Sequence, residues 1–267
     1  MKKEKIQAFL ALFTATFFWA SAYIFVKQLL DNVSPYVMLV VRFGLASLIL
    51  IAIYNKRLLQ INREILKAGI IMGVFLFGEF FTFTVGLQYT TTSRSSLIIA
   101  SYIILLPFAY LLIMRKRPSL SDIIVSIICM IGVFFIVGND LGGFHLGDVY
   151  CILCALSYAL YIVISSKYSK RYDSGILNVL QVSTTAILSI VILLFVKDHR
   201  FYVTFRDGFQ LIYLIILCTT LPFFLILYGM KHISATTSGI LLSFESVMAA
   251  FMGIMVLHEP FTLNLFI

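Results

Sequence analysis

Along the chain, nine apolar runs of about 15–23 residues alternate with short polar joints. They are Ile6–Val26, Pro35–Tyr54, Ala68–Leu87, Ser95–Met114, Ile123–Val137, Asp148–Ser165, Ile176–Val196, Leu211–Tyr228 and Ala235–Leu257. About 20 apolar residues at 1.5 Å each cover the roughly 30 Å hydrocarbon core of a bilayer. The runs are continuous, which selects α-helices over β-spans, whose signature is alternation. Basic Met1–Lys5 ahead of an apolar stretch and Ala20-Ser21-Ala22 outlines a cleaved leader. The length of that first run, with eight more spans behind it, predicts a retained helix instead.

A second regularity lies over the first. From Gly229 to Leu263 the order is a hydroxyl cluster (Ser234, Thr236, Thr237, Ser238), an apolar span carrying one carboxylate, Glu245, and a polar His258-Glu259-Pro260 turn. The same order of features, without the carboxylate, runs over Gly86–Leu120, 143 residues earlier and without a gap. Phe80-Phe81 pairs with Phe223-Phe224, Gly86 with Gly229, Ser95 with Ser238 and Phe108 with Phe251. Two repeats follow, residues 1–140 and 146–267. A fifth helix closes the first. Its counterpart would lie beyond Thr262, but the chain stops at Ile267. Either a tenth helix is missing, which the constant offset favours, or the repeat does not hold. An odd number of spans per repeat gives the halves opposite orientations, the inverted arrangement of many secondary transporters.

Composition removes the soluble alternatives. Hydrophobic residues make up 61% and charged residues 12% of the chain, against about 25% charged in ordinary globular domains. The formal charge of +8 has no soluble surface on which to form a basic patch, which excludes nucleic acid as a partner. Of the twenty Lys and Arg, fourteen fall on the N-terminal side of the spans and five on the other, with Arg42 inside a span. The positive-inside rule then puts the N-terminus in the cytoplasm, with the protein multi-pass in the cytoplasmic membrane. Expected partners are the lipid bilayer and a small-molecule substrate, with a homo-oligomer as a further option. All four cysteines sit in apolar runs, where cysteine serves as a small hydrophobe. Cys151-x-x-Cys154 lacks the second pair or nearby histidine of a zinc site, so no metal or cofactor is expected. Nucleophile elbows, HExxH and phosphate loops are missing too.

In this setting the chain resembles the drug/metabolite transporter superfamily, in its EamA-like branch. FFWASAYIFVK (Phe17–Lys27) is similar to that family's Trp-Gly-Ser opening, with Ala20 in place of glycine. Arg42 falls where the family places an arginine in the second helix. Gly147-Asp148 and ALSYALYIVISSKYSKRYD resemble the start of its second repeat, and HISATTSGILLSFESVMAAFMGIMVLHEPFT its most recognisable segment. Two positions depart: Glu245-Ser246 replaces a Glu-Pro pair, and Lys116 replaces a frequent glutamate. The resemblance implies an all-α polytopic fold of two inverted five-helix halves around a central cavity. It further implies export or uptake of a small metabolite, without implying which one; the expectation adopted is proton-coupled export of an amino acid or similar amphipathic compound. A channel or scramblase, a non-functional truncated paralogue and an intramembrane enzyme are the alternatives.

Candidate site residues follow from the cost of charge in lipid. Glu79 sits within the third span and Glu245 within the last. Facing one cavity, they would bind a cationic group or carry a proton. Paired with Arg42 or Lys27, they would only neutralise buried charge. Arg42 itself reads as a helix tie or an anion site. Trp19 and Tyr23 on the first helix, Tyr102 on the fourth, and Tyr158 and Tyr161 on the sixth would line a cavity or form an interfacial belt. Tyr158, Tyr161, Cys154 and Ser165 share one helical face. Gly69-x-x-x-Gly73, Ala249-x-x-x-Gly253 and Ser246-x-x-x-Ala250 mark close helix approach, and Pro107 a kink.

Overall fold

The computed structural model describes residues 2–115 and 145–258, with 117, 119–121, 123, 124, 127, 128 and 131 between them. The helices are α1 (Lys2–Leu29), α2 (Pro35–Leu58), α3 (Arg63–Gly86), α4 (Thr92–Ile99), α5 (Tyr102–Met114), α6 (Leu146–Ser169), α7 (Ser174–Leu193), α8 (Phe205–Ile215), α9 (Leu221–His232) and α10 (Ala235–Leu257). A π turn, Ile216–Thr220, joins α8 to α9. Among the described residues eight helical stretches are long and apolar enough to cross a membrane, so the fold is all-α and polytopic. The fifth predicted span lies mostly outside the described residues, as do Cys129 and Lys116; Ile123, Ile124, Ile127, Ile128 and Ile131 within it are helical.

Helix ends follow local chemistry. Asn62 accepts from the Ile65 amide, Thr91 from Arg94, Asp173 from Gly175 and Ile176, and Ser234 from Thr237. Each satisfies donors that a helix start leaves unpaired. Pro35 opens α2, where its missing N–H costs nothing. Opposite the N-terminus, a single antiparallel bridge, Val33 to Phe201, ties the α1–α2 corner to the loop after α7. The Ser34 amide donates to the Arg200 carbonyl at 2.9 Å and the Tyr202 amide to that of Asn32 at 3.1 Å.

Two predicted spans are continuous in the sequence pattern and broken in the structure. The fourth is interrupted at Ala100-Ser101, where bonds of the i→i+3 kind, from Ile103 to Ala100 and Ile104 to Ser101, carry the chain from α4 into α5. Pro107 lies within α5, downstream of the break. The eighth span is interrupted by the π turn. Pro222 explains that position: it has no N–H to offer the Cys218 carbonyl four residues earlier, and hydroxyls of Thr219 and Thr220 donate to Leu214 and Ile215 carbonyls five residues back, both at 2.8 Å.

Large apolar side chains point outward all round the bundle, among them Leu48 (64% exposed), Phe108 (66%) and Val247 (64%). Lipid is the solvent that such a surface suits. Inside, aromatic rings meet at the crossing of α1, α2, α3 and α9. Phe80 lies 5.0 Å from Phe43 and 5.6 Å from Phe223, and Trp19 lies 5.2 Å from Phe223, centroid to centroid. α3 packs on both α6 and α7, α2 on α7, and α1 on α9 and α10. Small residues permit the closest of these approaches. A Cβ at Gly73 would sit 2.7 Å from the Gln181 carbonyl of α7, whereas one at Gly44 meets nothing within 4 Å.

Gly73→Leu should therefore destabilise the protein by about 1–3 kcal/mol, as overpacking does, and Gly44→Leu should not. Thermal melting of both variants in detergent checks this; equal melting temperatures would refute the packing assignment.

Candidate functional site

Hydrogen bonds left over by the π turn organise the site. The Cys218 carbonyl accepts from Arg42 Nη2 at 2.9 Å and from Trp19 Nε1 at 3.1 Å. Arg42 Nε donates to Thr219 Oγ1 at 2.6 Å. The guanidinium also lies 4.7 Å from the centroid of the Phe80 ring, a cation–π distance. Arg42, 1% exposed, thus spends its directional bonds on the broken helix. A further link runs through α7, where Asn178 Nδ2 donates to the Thr220 carbonyl, Gln181 Nε2 to Asn178, and the Tyr161 hydroxyl to Gln181.

Beside this hub is a cavity of about 30 Å³, room for roughly two waters at 10–15 Å³ each. Its charged lining is Arg42, Glu79 and Glu245; Trp19, Tyr23, Phe80, Phe83 and Tyr158 supply aromatic faces, and Ala22, Ile99 and Cys154 complete the wall. Glu79 stands seven residues from the end of α3 and Arg42 seven from the start of α2. At 1.5 Å per residue these two lie about 10 Å below the face opposite the N-terminus, and Glu245, twelve residues from the end of α10, about 18 Å below it.

Neither carboxylate forms an ion pair or a side-chain hydrogen bond among the described residues. Glu79 Oε2 and the Tyr158 hydroxyl are buried without a partner there. Glu245, on α10, is half-buried. Lys27 donates to the carbonyls of Leu87 and Thr90, both at 2.7 Å.

Six of the eight residues singled out in the sequence share this wall: Trp19, Tyr23, Arg42, Glu79, Tyr158 and Glu245. Tyr102 stands behind it, its ring 4.4 Å from that of Tyr158 and its hydroxyl donating to the Gly239 carbonyl at 2.6 Å. Tyr161 turns away to Gln181. Phe80, Phe83 and Ile99 carry no signal that separates a cavity wall from a core. Cys154, read as a small hydrophobe, lines the wall as well.

A stronger ionic contact escaped the sequence. Arg94 at the start of α4 grips Asp148 at the start of α6 through Nε–Oδ1 and Nη2–Oδ2 bonds, both 2.8 Å. The Asp148 carboxylate is fully buried and also accepts from the His145 amide at 2.9 Å. Arg94 falls among the few charges of its side, and only the two-ended geometry, invisible in sequence, distinguishes it.

A helical bundle with an apolar outer surface and a small carboxylate-bearing cavity marks a polytopic membrane protein. The family model for the EamA-like transporter family matches residues 6–138 and again 145–267, and the chain belongs to that family. It is similar to a protein called an uncharacterized transporter in Archaeoglobus fulgidus, at 26% identity over 97% of this chain and 81% of the relative. The uncharacterized transporter YoaV of Bacillus subtilis is 22% identical over 97% of this chain and 92% of its own length. A solved crystal structure superposes with a TM-score of 0.74 over 97% of this chain and 91% of the other, at 18% identity, a likeness of fold.

If the π turn depends on Arg42, Arg42→Lys should loosen it, because an ammonium cannot reproduce the two-point grip of a guanidinium. The expected result is a melting temperature lower by several degrees and a red-shifted emission from Trp19, which shares the Cys218 carbonyl. Unchanged emission and melting would show that the turn holds by itself.

Proposed function

We propose that the protein is a secondary transporter that moves a small amphipathic metabolite across the cytoplasmic membrane by alternating access, coupled to protons and in the export direction. The observation that carries this reading is two carboxylates on one cavity wall while the neighbouring arginine is bound elsewhere. A carboxylate oxygen without a partner among apolar rings is costly. Uptake of a proton or a cationic group removes the cost, and its release restores it. That cycle suits a carrier better than a static ion pair. The cavity's small volume suits an occluded arrangement, since admitting a metabolite requires the walls to part.

Two repeats, 1–140 and 146–267, with the N-terminus cytoplasmic, complete the reading. It is supported by symmetric contacts: Phe80 and Phe223, related by the 143-residue offset, touch. Gly86 and Gly229, related in the same way, each receive a neighbouring side chain, Tyr150 of α6 and Leu12 of α1. Single-cysteine variants at Gln60 and Lys170 should label from the cytoplasm only, and those at His199 and Tyr202 from outside only. Reversal at both pairs would overturn the orientation.

Reconstituted protein tests the carrier. Labelled uptake should accelerate when unlabelled substrate is inside, as a carrier requires and a channel does not. Glu79→Gln should fold normally and lose proton-driven transport at least tenfold. Adding Arg42→Gln should not rescue it, because Arg42 is not the partner of Glu79. Parental rates in a folded Glu79→Gln protein, or rescue by the double change, would refute the role assigned to Glu79.

A further inference from the structure

We infer that the cavity recognises a small organic ammonium ion, an amine on an apolar body without a carboxylate. The inference rests on the transport reading only for the assumption that this cavity is where the substrate sits. Among the described residues three charged groups line the wall, two carboxylates and one guanidinium. With both carboxylates ionised, the wall is one positive charge short of balance. A monocation supplies that charge; a zwitterion or an anion does not.

The arginine argues the same way. A substrate carboxylate is best held by two parallel bonds from a guanidinium edge. In Arg42 the Nε and Nη2 edge is already committed to Thr219 and the Cys218 carbonyl, and the Phe80 ring covers one face, which leaves a carboxylate only the outer Nη1 side of the fork. Freeing that edge would leave a buried carbonyl of the π turn and the Thr219 hydroxyl short of a donor. By contrast, Glu79 Oε2 and the Tyr158 hydroxyl at the wall have no partner among the described residues. An ammonium carries only donors, so both oxygens can accept from it.

The rest of the wall suits the same ligand. Trp19, Tyr23 and Tyr158 line the cavity. A cation is attracted by the face of such a ring and not by its edge. A volume of about 30 Å³ matches a head group and not a whole metabolite, so this arrangement grips the ammonium end first.

Trp19 is the chain's only tryptophan, and it lines the cavity, so its fluorescence reports occupancy. Purified protein in nanodiscs is titrated with 2-phenylethylamine, phenylalanine and 3-phenylpropionate, which share a ring and differ in charge. Expected is a saturable change of Trp19 emission with the amine, at least tenfold tighter than with either other probe, and at least tenfold weaker in Glu79→Gln. Phenylalanine or phenylpropionate binding within tenfold of the amine, or no saturable response to the amine, would overturn the inference. Should Glu79→Gln fail to fold, the three-probe comparison on the parent protein decides alone. Saturable amine binding without any counterflow would sink the carrier reading and leave the ammonium site standing. Counterflow of another solute with no amine response would do the reverse.

Discussion

The interaction on which the centre of the bundle depends is one that Pro222 removes. Within a membrane every backbone carbonyl needs an internal donor, because lipid supplies none. By lacking an N–H, Pro222 leaves the Cys218 carbonyl open, and two side chains from different helices fill it, Arg42 of α2 and Trp19 of α1. The gap in one helix thus becomes the joint between three. An arginine at this depth would be expensive in isolation; here it replaces a missing backbone bond, and the hydroxyl of Thr219 and the ring of Phe80 complete its surroundings.

That arrangement sets the electrostatics of the cavity. With its bonds committed to the π turn, Arg42 supplies positive potential to the wall without capping either carboxylate. Glu79 and Glu245 come from helices far apart in sequence, α3 and α10, and meet at a cavity walled largely by aromatic rings. A low local dielectric strengthens any pairing made there and raises the penalty for leaving one unmade. The site is tense in that sense, with strong unfilled preferences in a small space.

Much of the architecture is legible in the sequence because a bilayer imposes a fixed length on its helices, and apolar runs of that length are hard to mistake. Glu79, Glu245 and Arg42 are legible for the same reason, since lipid makes each buried charge conspicuous. The breaks at Ala100-Ser101 and Ile216–Thr220 are not, since apolar runs flank both and the few hydroxyl residues within them are common in membrane helices. Pro222 was nonetheless visible, and the rule that a proline frees the carbonyl four residues earlier would have pointed to Cys218. The exclusion of Tyr161 from the wall, and the entry of Phe83 and Ile99, depend on small rotations of helix faces. Arg94 and Asp148 lie 54 residues apart, and nothing in the residue pattern announces that they meet.

Those two residues have a consequence for how the molecule feels its medium. Two exposed ion pairs among the described residues, Arg57 with Asp173 at 3.1 Å and Arg200 with Asp198 at 3.0 Å, have side chains 57% and 41%, and 44% and 33%, open to solvent. Dissolved salt reaches such pairs and screens them over about 10 Å at 0.1 M. The Arg94–Asp148 pair is shut away, at 10% and 0%, and mobile ions cannot enter between its partners. Ionic strength therefore loosens ties at the rim of the bundle and leaves the α4–α6 clasp untouched, so in brine the protein softens from its periphery inward.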